Sequence, residues 1–273
     1  MDTATETLKA RCTGPRTDGQ TVYPILFMVS AAHLLNDMMQ SVIPAVYPLL
    51  KENFGFSFTQ IGVITLVFQM TSSLLQPLMG RCADLHPRPY SLATGMCFTL
   101  AGLLTLAAAG GFLPILLAVA LIGWGSSVFH PESSRVAQLA SGGRKGLAQS
   151  IFQVGGNAGS ATGPLLAALI VIPFGQRAIG WLALAALLAI GLLKRIGDWY
   201  KERLSVAPRH TTAGAGESCG LSEGKIRTAM FILTVLVFSK YFYIACMTNY
   251  FTFFLMDKFA VSVQDAQYCL FGF

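Results

Sequence analysis

The chain has 273 residues, 53% of them hydrophobic and only 12% charged, with 19 Lys and Arg against 13 Asp and Glu for a formal net charge of +6. A soluble domain carries about 25% charged residues, so this composition leaves too few charges to coat a water-facing surface. It excludes an ordinary soluble enzyme or DNA-binding module.

Residues 1–20 are polar and mixed in charge, a tail without the pattern of a cleavable signal. Charge-free intervals follow at 53–80, 89–129, 146–176 and 178–193. A membrane-spanning helix needs roughly 20 apolar residues, and a bilayer accepts only helices or closed barrels. These runs are rich in Leu and Ala and lack period-two alternation, so they read as helices. Spans are predicted at 23–49, 60–80, 90–109, 113–138, 147–172, 178–196 and 228–256, with an eighth beginning near 266. "HPRP" at 86, "GGFLP" at 110 and "IPFG" at 172 supply the turns. The expected class is an all-α membrane protein, organised as a tail (1–20), a six-helix bundle (21–196), a linker (197–227) and the start of a second bundle (228–273).

Lys and Arg divide unevenly between the two sides of such a topology. The tail, the 2–3 and 4–5 connections and the long 6–7 segment hold 15, whereas the alternate connections hold three: Lys51, Arg177 and Lys258. The positive-inside rule then places the N-terminus in the cytoplasm. The basic balance reflects topology and anionic-lipid contact, and no nucleic-acid partner is expected. The six cysteines show no metal-like spacing, and neither a metal nor a cofactor is expected.

Residues 197–227 are the sizeable polar connection, centred on "PRHTTAGAGESCG", with a flexible-linker composition. The C-terminal segment repeats the N-terminal one: "LLKENFGFSFTQ" (49–60) and "FLMDKFAVSVQD" (254–265) align without a gap at an offset of 205. Parallel repeats around a midplane site are a transporter plan. On this reading a second half has barely begun, and the chain is expected to be a truncated twelve-helix protein, inactive in transport by itself.

Polar residues inside the spans mark the candidate site. His33, Asn36, Asp37 and Gln40 lie at i, i+3, i+4 and i+7, one stripe on one helical face. His33 and Asp37 fall about 15–20 Å from the helix start near Tyr23. An ionisable residue at that depth faces a cavity or a partner. Asp37 is the expected proton carrier with His33 sharing the proton; a polar helix–helix contact is the alternative. Lys240 lies deep in the seventh span among tyrosines, as a cavity cation or a snorkelling side chain. Gly155, Gly159 and Gly163, four apart and followed by Pro164, form a doubled GxxxG seam with a bend. In "GRCADLHPR", Gly80 permits tight packing while Asp84 and Arg88 are placed to lock a gate through charge pairs.

"FHPESSRVAQ" (129–138) ends the fourth span. Glu132 and Arg135 share a face and can neutralise one another, whereas His130 points about 200° away from Glu132. The segment reads as a charged inner mouth of a transport path, or as a simple helix terminus, with the proton site deeper at His33 and Asp37. His130, Glu132, Arg135, Asn36, Gln40 and Lys240 are the expected substrate-cavity residues.

At these motifs the chain resembles the major facilitator superfamily. "GRCADLHPR" is similar to that family's loop between spans 2 and 3 at Gly80, Asp84 and Arg88, departing at Leu85 and Pro87. "GSATGP" is similar to its antiporter motif at Gly159, Gly163 and Pro164. The family's usual Arg early in span 4 is absent, with Val119 near that position. "AHLLNDMMQS", "FHPESSRVA", "FQVGGN" and "FSKYFY" resemble a drug exporter of this superfamily. The resemblance implies proton-driven efflux of a phosphonate antibiotic across a bacterial inner membrane, by a protein monomeric at full length and powered by the proton gradient. A proton-coupled importer of a small organic anion has the same fold. An intramembrane hydrolase would need a metal-ligand set or Ser–His arrangement, and "HPESS" lacks the HExxH spacing. A seven-helix receptor would have its N-terminus outside and leave the repeat unexplained.

Overall fold

In the computed structural model, residues 20–206 and 223–272 are described, and within them every regular element is helical. The N-terminal tail and the linker centre at 208–220 lie outside the described residues. Among the described residues, six helices are long and apolar enough to cross a membrane: Phe58–Leu85, Ser91–Ala108, Phe112–Ala140, Lys145–Phe174, Gln176–Leu204 and Gly224–Phe259. Helix α1 (Tyr23–Ala45) has 23 residues, about 35 Å of rise, but its polar stripe keeps it out of that set. It is admitted to the bundle by its neighbours, since Leu26, Val29, Ala32, Met39 and Ile43 are buried.

The first predicted span does not run unbroken to residue 49. Pro44 and Pro48 lack the N–H groups that would carry the ladder forward. The chain therefore breaks at Val46 and restarts as α2 (Tyr47–Phe54). Gly55, at φ +64°, ends α2 in the left-handed region, and Ser57 caps the next helix. That second span is α3 (Phe58–Gln69), a widened π turn at Met70–Leu74, and α4 (Gln76–Leu85). Pro77 removes a helical donor just beyond the π turn, which accounts for the local change of pitch. Next come α5 (Ser91–Ala108), α6 (Phe112–Ala140) and α7 (Lys145–Leu166). Three residues after Pro164 a second π turn, Ala167–Val171, departs from the α-helical ladder, where the sequence predicts a bend. The sixth span ends in α8 (Leu182–Val206), ten residues past the predicted limit; α9 (Glu223–Phe259) and α10 (Val263–Gly272) complete the order.

Helix α1 lies along α7, α5 lies along α6, and α8 crosses both α5 and α1. The buried apolar cluster is continuous from Ile25 in α1 to Tyr200 in α8. Helices α9 and α10 meet this bundle chiefly at one end. Phe253 packs edge-to-face on Phe58, Thr65 donates to Asn249 at 3.3 Å, and Gln267 donates to the Ala45 carbonyl at 2.8 Å. The apolar side chains Phe231, Leu236 and Phe238 of α9 are exposed.

Candidate functional site

The glycines of α7 allow α1 to approach at backbone distance. A methyl group on Gly155 would strike the Ser30 carbonyl, on Gly159 the Leu34 carbonyl, and on Gly163 the Ser41 hydroxyl. This is the close seam that small residues at four-residue spacing permit. Gly156, adjacent to the seam, leaves the space that the His33 ring fills. There the ring stacks on Phe152 with centroids 4.0 Å apart, and His33 Nδ1 lies 2.8 Å from the Phe152 carbonyl. A carbonyl only accepts, so Nδ1 carries the hydrogen. Nε2 is thereby left facing Asp37, 3.2 Å from Oδ2.

Helix α6 brings a second imidazole to the same carboxylate. The Val22 amide donates to the Ala140 carbonyl at 2.9 Å, and Thr21 donates to the Ser141 carbonyl at 2.9 Å. The start of α1 is thus tied to the end of α6. His33 stands ten residues from Tyr23 and His130 ten from Ala140, so both lie about 15 Å from that shared level. His130 Nδ1 is 3.1 Å from the Ser126 carbonyl, which fixes its hydrogen in the same way. Its Nε2 is 3.4 Å from Asp37 Oδ1. The two imidazoles meet edge to face, 5.3 Å between centroids. Asn36 completes the set by donating to Asp37 Oδ1 at 3.0 Å.

His130 therefore does not stand at a level separate from His33 and Asp37: it meets the same carboxylate. The physical reason is the tie between α1 and α6, which equalises depths that look unequal when each helix is counted alone. A charged side chain at mid-span costs about 2.5–3.5 kcal/mol on insertion scales. Pairing Asp37 with two imidazoles offsets that cost only where the hydrogen bonds are completed. The ligand-type atoms of His33, Asp37 and His130 lie within 4.8 Å of one another, near enough to surround one cation.

Asp37 and His130 open onto a cavity of about 260 Å³. Gln40 and Ser41 of α1, Thr65 and Gln69 of the second span, and Ser160 of α7 add polar groups to its wall. Thr248 and Asn249 of α9 and Leu270 of α10 close the far side. The cavity thus lies where the six-helix bundle meets the repeat, close to the lower end of the range for small-molecule sites.

The remaining predicted polar and charged residues do not line the cavity. Asn36 is fully buried and holds Asp37 from behind, its own Oδ1 without a partner among the described residues. Glu132 and Arg135 do not neutralise one another by a direct bridge. Glu132 is buried and accepts from the Ser91 hydroxyl at the start of α5. Arg135 is 3.6 Å from Asp84, donates to the Ala83 carbonyl at 2.5 Å and lies over the Tyr200 ring. Asp84 is thus locked to α6 rather than to Arg88, whose carbonyl instead accepts from Ser91 at 2.9 Å. A methyl on Gly80 would be 3.4 Å from Pro131, so the loop motif and the "HPESSR" segment form one contact at the basic end of the bundle. Lys240 is exposed on α9 over the Tyr241 ring and does not line the cavity. Sequence reasoning missed Phe152, Gly156 and Ser126, which orient the imidazoles. The doubled glycine beside an aromatic in "FQVGGN" was the available signal.

Residues 29–273, which include the helical bundle and this cavity, match the family model described as Major Facilitator Superfamily. The chain belongs to that family. It is 55% identical over 260 residues to the fosmidomycin resistance protein of Escherichia coli (strain K12), covering 94% of this chain and 63% of that protein. It is 42% identical over 257 residues to the uncharacterized MFS-type transporter YfnC of Bacillus subtilis (strain 168), covering 93% and 63%. The chain thus spans less than two thirds of the length of these relatives. Among solved structures, it matches a mutant of the peptide transporter POT in complex with sulfate at a TM-score of 0.54 and 16% identity, covering 81% of this chain and 46% of that one. With its six apolar helices of spanning length, the chain is a multi-pass membrane protein.

Proposed function

We propose that this chain supplies the first six-helix bundle, and the opening of the second, of a proton-coupled exporter of a small anionic antibiotic of the phosphonate type. The observation that carries this reading is the His33–Asp37–His130 cluster at the wall of a cavity shared by α1, α6 and the repeat helix α9. The fosmidomycin resistance protein, similar over 94% of the chain, supports the substrate class and the outward direction. Asp37 and His33 exchange the coupling proton and His130 joins them, while Gln40 supplies a polar contact in the cavity. Glu132, Arg135 and Asp84 act at the inner gate. The reading places the protein in the bacterial inner membrane with its N-terminus in the cytoplasm, monomeric at full length.

The test is phosphonate/proton exchange in proteoliposomes holding the transporter at the length of its relatives. Asp37→Asn is expected to abolish coupling, and undiminished exchange in that variant would sink the assignment. The 273-residue chain alone is expected not to transport; drug resistance conferred by it alone would refute that part. Proton symport of an organic anion is the second reading, and the sign of the charge favours it. Each proton added to the cluster makes it more positive, so a proton and an anion attract one another into the same cavity. An inward pH gradient that accumulates the anion inside vesicles, rather than expelling it, selects this reading.

A further inference from the structure

The geometry points to a divalent transition-metal site at His33 Nε2, His130 Nε2 and the Asp37 carboxylate, of a kind that takes Zn²⁺ or Co²⁺. Two independent features of the trio favour a metal over a chance meeting of polar groups. The first is orientation. Each imidazole gives its Nδ1 hydrogen to a backbone carbonyl, His33 to Phe152 at 2.8 Å and His130 to Ser126 at 3.1 Å. Metal-binding histidines are held in this way, with the far nitrogen's N–H on a carbonyl and the near lone pair free to ligate. Both Nε2 lone pairs therefore converge on one carboxylate, an arrangement that is repulsive until something positive sits between them.

The second feature is size. Zinc bonds of about 2.0–2.2 Å to nitrogen and oxygen imply tetrahedral ligand–ligand edges of about 3.3 Å. His33 Nε2 lies 3.2 Å from Asp37 Oδ2 and His130 Nε2 3.4 Å from Oδ1, so both carboxylate oxygens face the shared space, and one ligand atom from each residue lies within 4.8 Å of the others. Asp37 and His130 face the cavity, so a fourth position is open to water or an anionic oxygen, as in three-ligand zinc sites. The set of two imidazoles and one carboxylate suits Zn²⁺, Co²⁺ or Ni²⁺ and is too nitrogen-rich for Mg²⁺ or Ca²⁺.

A bound metal would occupy the lone pairs that the coupling proton uses, so it would regulate the site proposed above by blocking it. That consequence rests on the transport reading; the binding does not, and it is measured without transport. The experiment is a Co²⁺ titration of the purified 273-residue chain in detergent micelles at fixed neutral pH, followed by visible absorption. Ligand-field bands are expected to saturate at one Co²⁺ per chain, without the intense thiolate charge-transfer band that the cysteines would give. His130→Gln and Asp37→Asn are expected to weaken binding by at least about tenfold, and His86→Gln to leave it unchanged. His130 is the first residue to remove, because its side chain is 28% exposed. If either variant fails to fold by circular dichroism, the wild-type chain is read directly. Zn²⁺ should then protect His130, the exposed imidazole of the pair, from diethyl pyrocarbonate. Absence of saturable binding, binding that survives both substitutions, a thiolate band, or no protection overturns the site.

Discussion

The turn between the first two spans and its counterpart 205 residues later show what the internal repeat keeps and what it discards. Gly55 stands at φ +64° and Ala260 at φ +52°. Ser57 caps α3, accepting from the Gln60 amide at 3.2 Å; Ser262 caps α10, accepting from the Asp265 amide at 3.1 Å. In both turns the third helical residue reaches back, Gln60 to the Ser57 amide at 2.9 Å and Asp265 to the Ser262 hydroxyl at 2.6 Å. The helices before the turns share none of this likeness in chemistry. At the same offset His33, Asn36, Asp37 and Gln40 correspond to Phe238, Tyr241, Phe242 and Ala245. His33 and Asn36 are buried, whereas Phe238 and Phe242 are exposed. Backbone scaffolding is repeated because turn geometry depends on a few local residues. The polar stripe is not repeated in α9, because its matching positions carry aromatic and small apolar side chains.

The strongest test of this asymmetry is functional. Asp37→Asn is expected to eliminate proton-coupled exchange in the transporter at its relatives' length, while Phe242→Leu at the matching position leaves exchange in place. Equal loss in both would mean that the two helices act equivalently. Next in size is the seam. Gly159→Val drives a side chain into the Leu34 carbonyl and is expected to destabilise the bundle by about 3 kcal/mol or more. Val237→Ala on the exposed face of α9 should stay within about 0.5 kcal/mol. Detergent unfolding of the 273-residue chain, followed by circular dichroism, measures both.

The turns give a smaller, oppositely signed pair. Gly55→Ala places a methyl group in the left-handed region at a cost of about 1–2 kcal/mol. Ala260→Gly relieves the same strain and is expected to stabilise the chain by a fraction of that, which thermal unfolding would resolve. A loss of stability in Ala260→Gly would show that the φ angle there is not strained. The caps come last. Ser57→Ala and Ser262→Ala are each expected to cost about 1 kcal/mol, and hydrogen exchange at the Gln60 and Asp265 amides should accelerate in the respective variant only.

Much of this was legible in the residues. The apolar runs located the helices, because a span of lipid dictates length and composition directly. The stripe on α1 was legible from its three- and four-residue spacing, and the Gly155–Gly159–Gly163 seam from its four-residue spacing. The boundaries were less so: Pro44 and Pro48 divide the first predicted span, and α8 continues ten residues beyond residue 196. Lys240 illustrates the limit of depth counting, since a mid-helix position does not say which way a side chain faces.

By itself the sequence determined a helical membrane protein, the repeat and the presence of ionisable groups at mid-span, since each arises from local composition and period. Tertiary structure alone decided which of those groups act together. His33 and His130 lie 97 residues apart in the sequence and meet because the start of α1 is hydrogen-bonded to the end of α6. Arg135 finds Asp84 rather than Glu132 because α4 ends beside α6. These are long-range contacts fixed by how helices pack, and no pattern within a single helix encodes its partner.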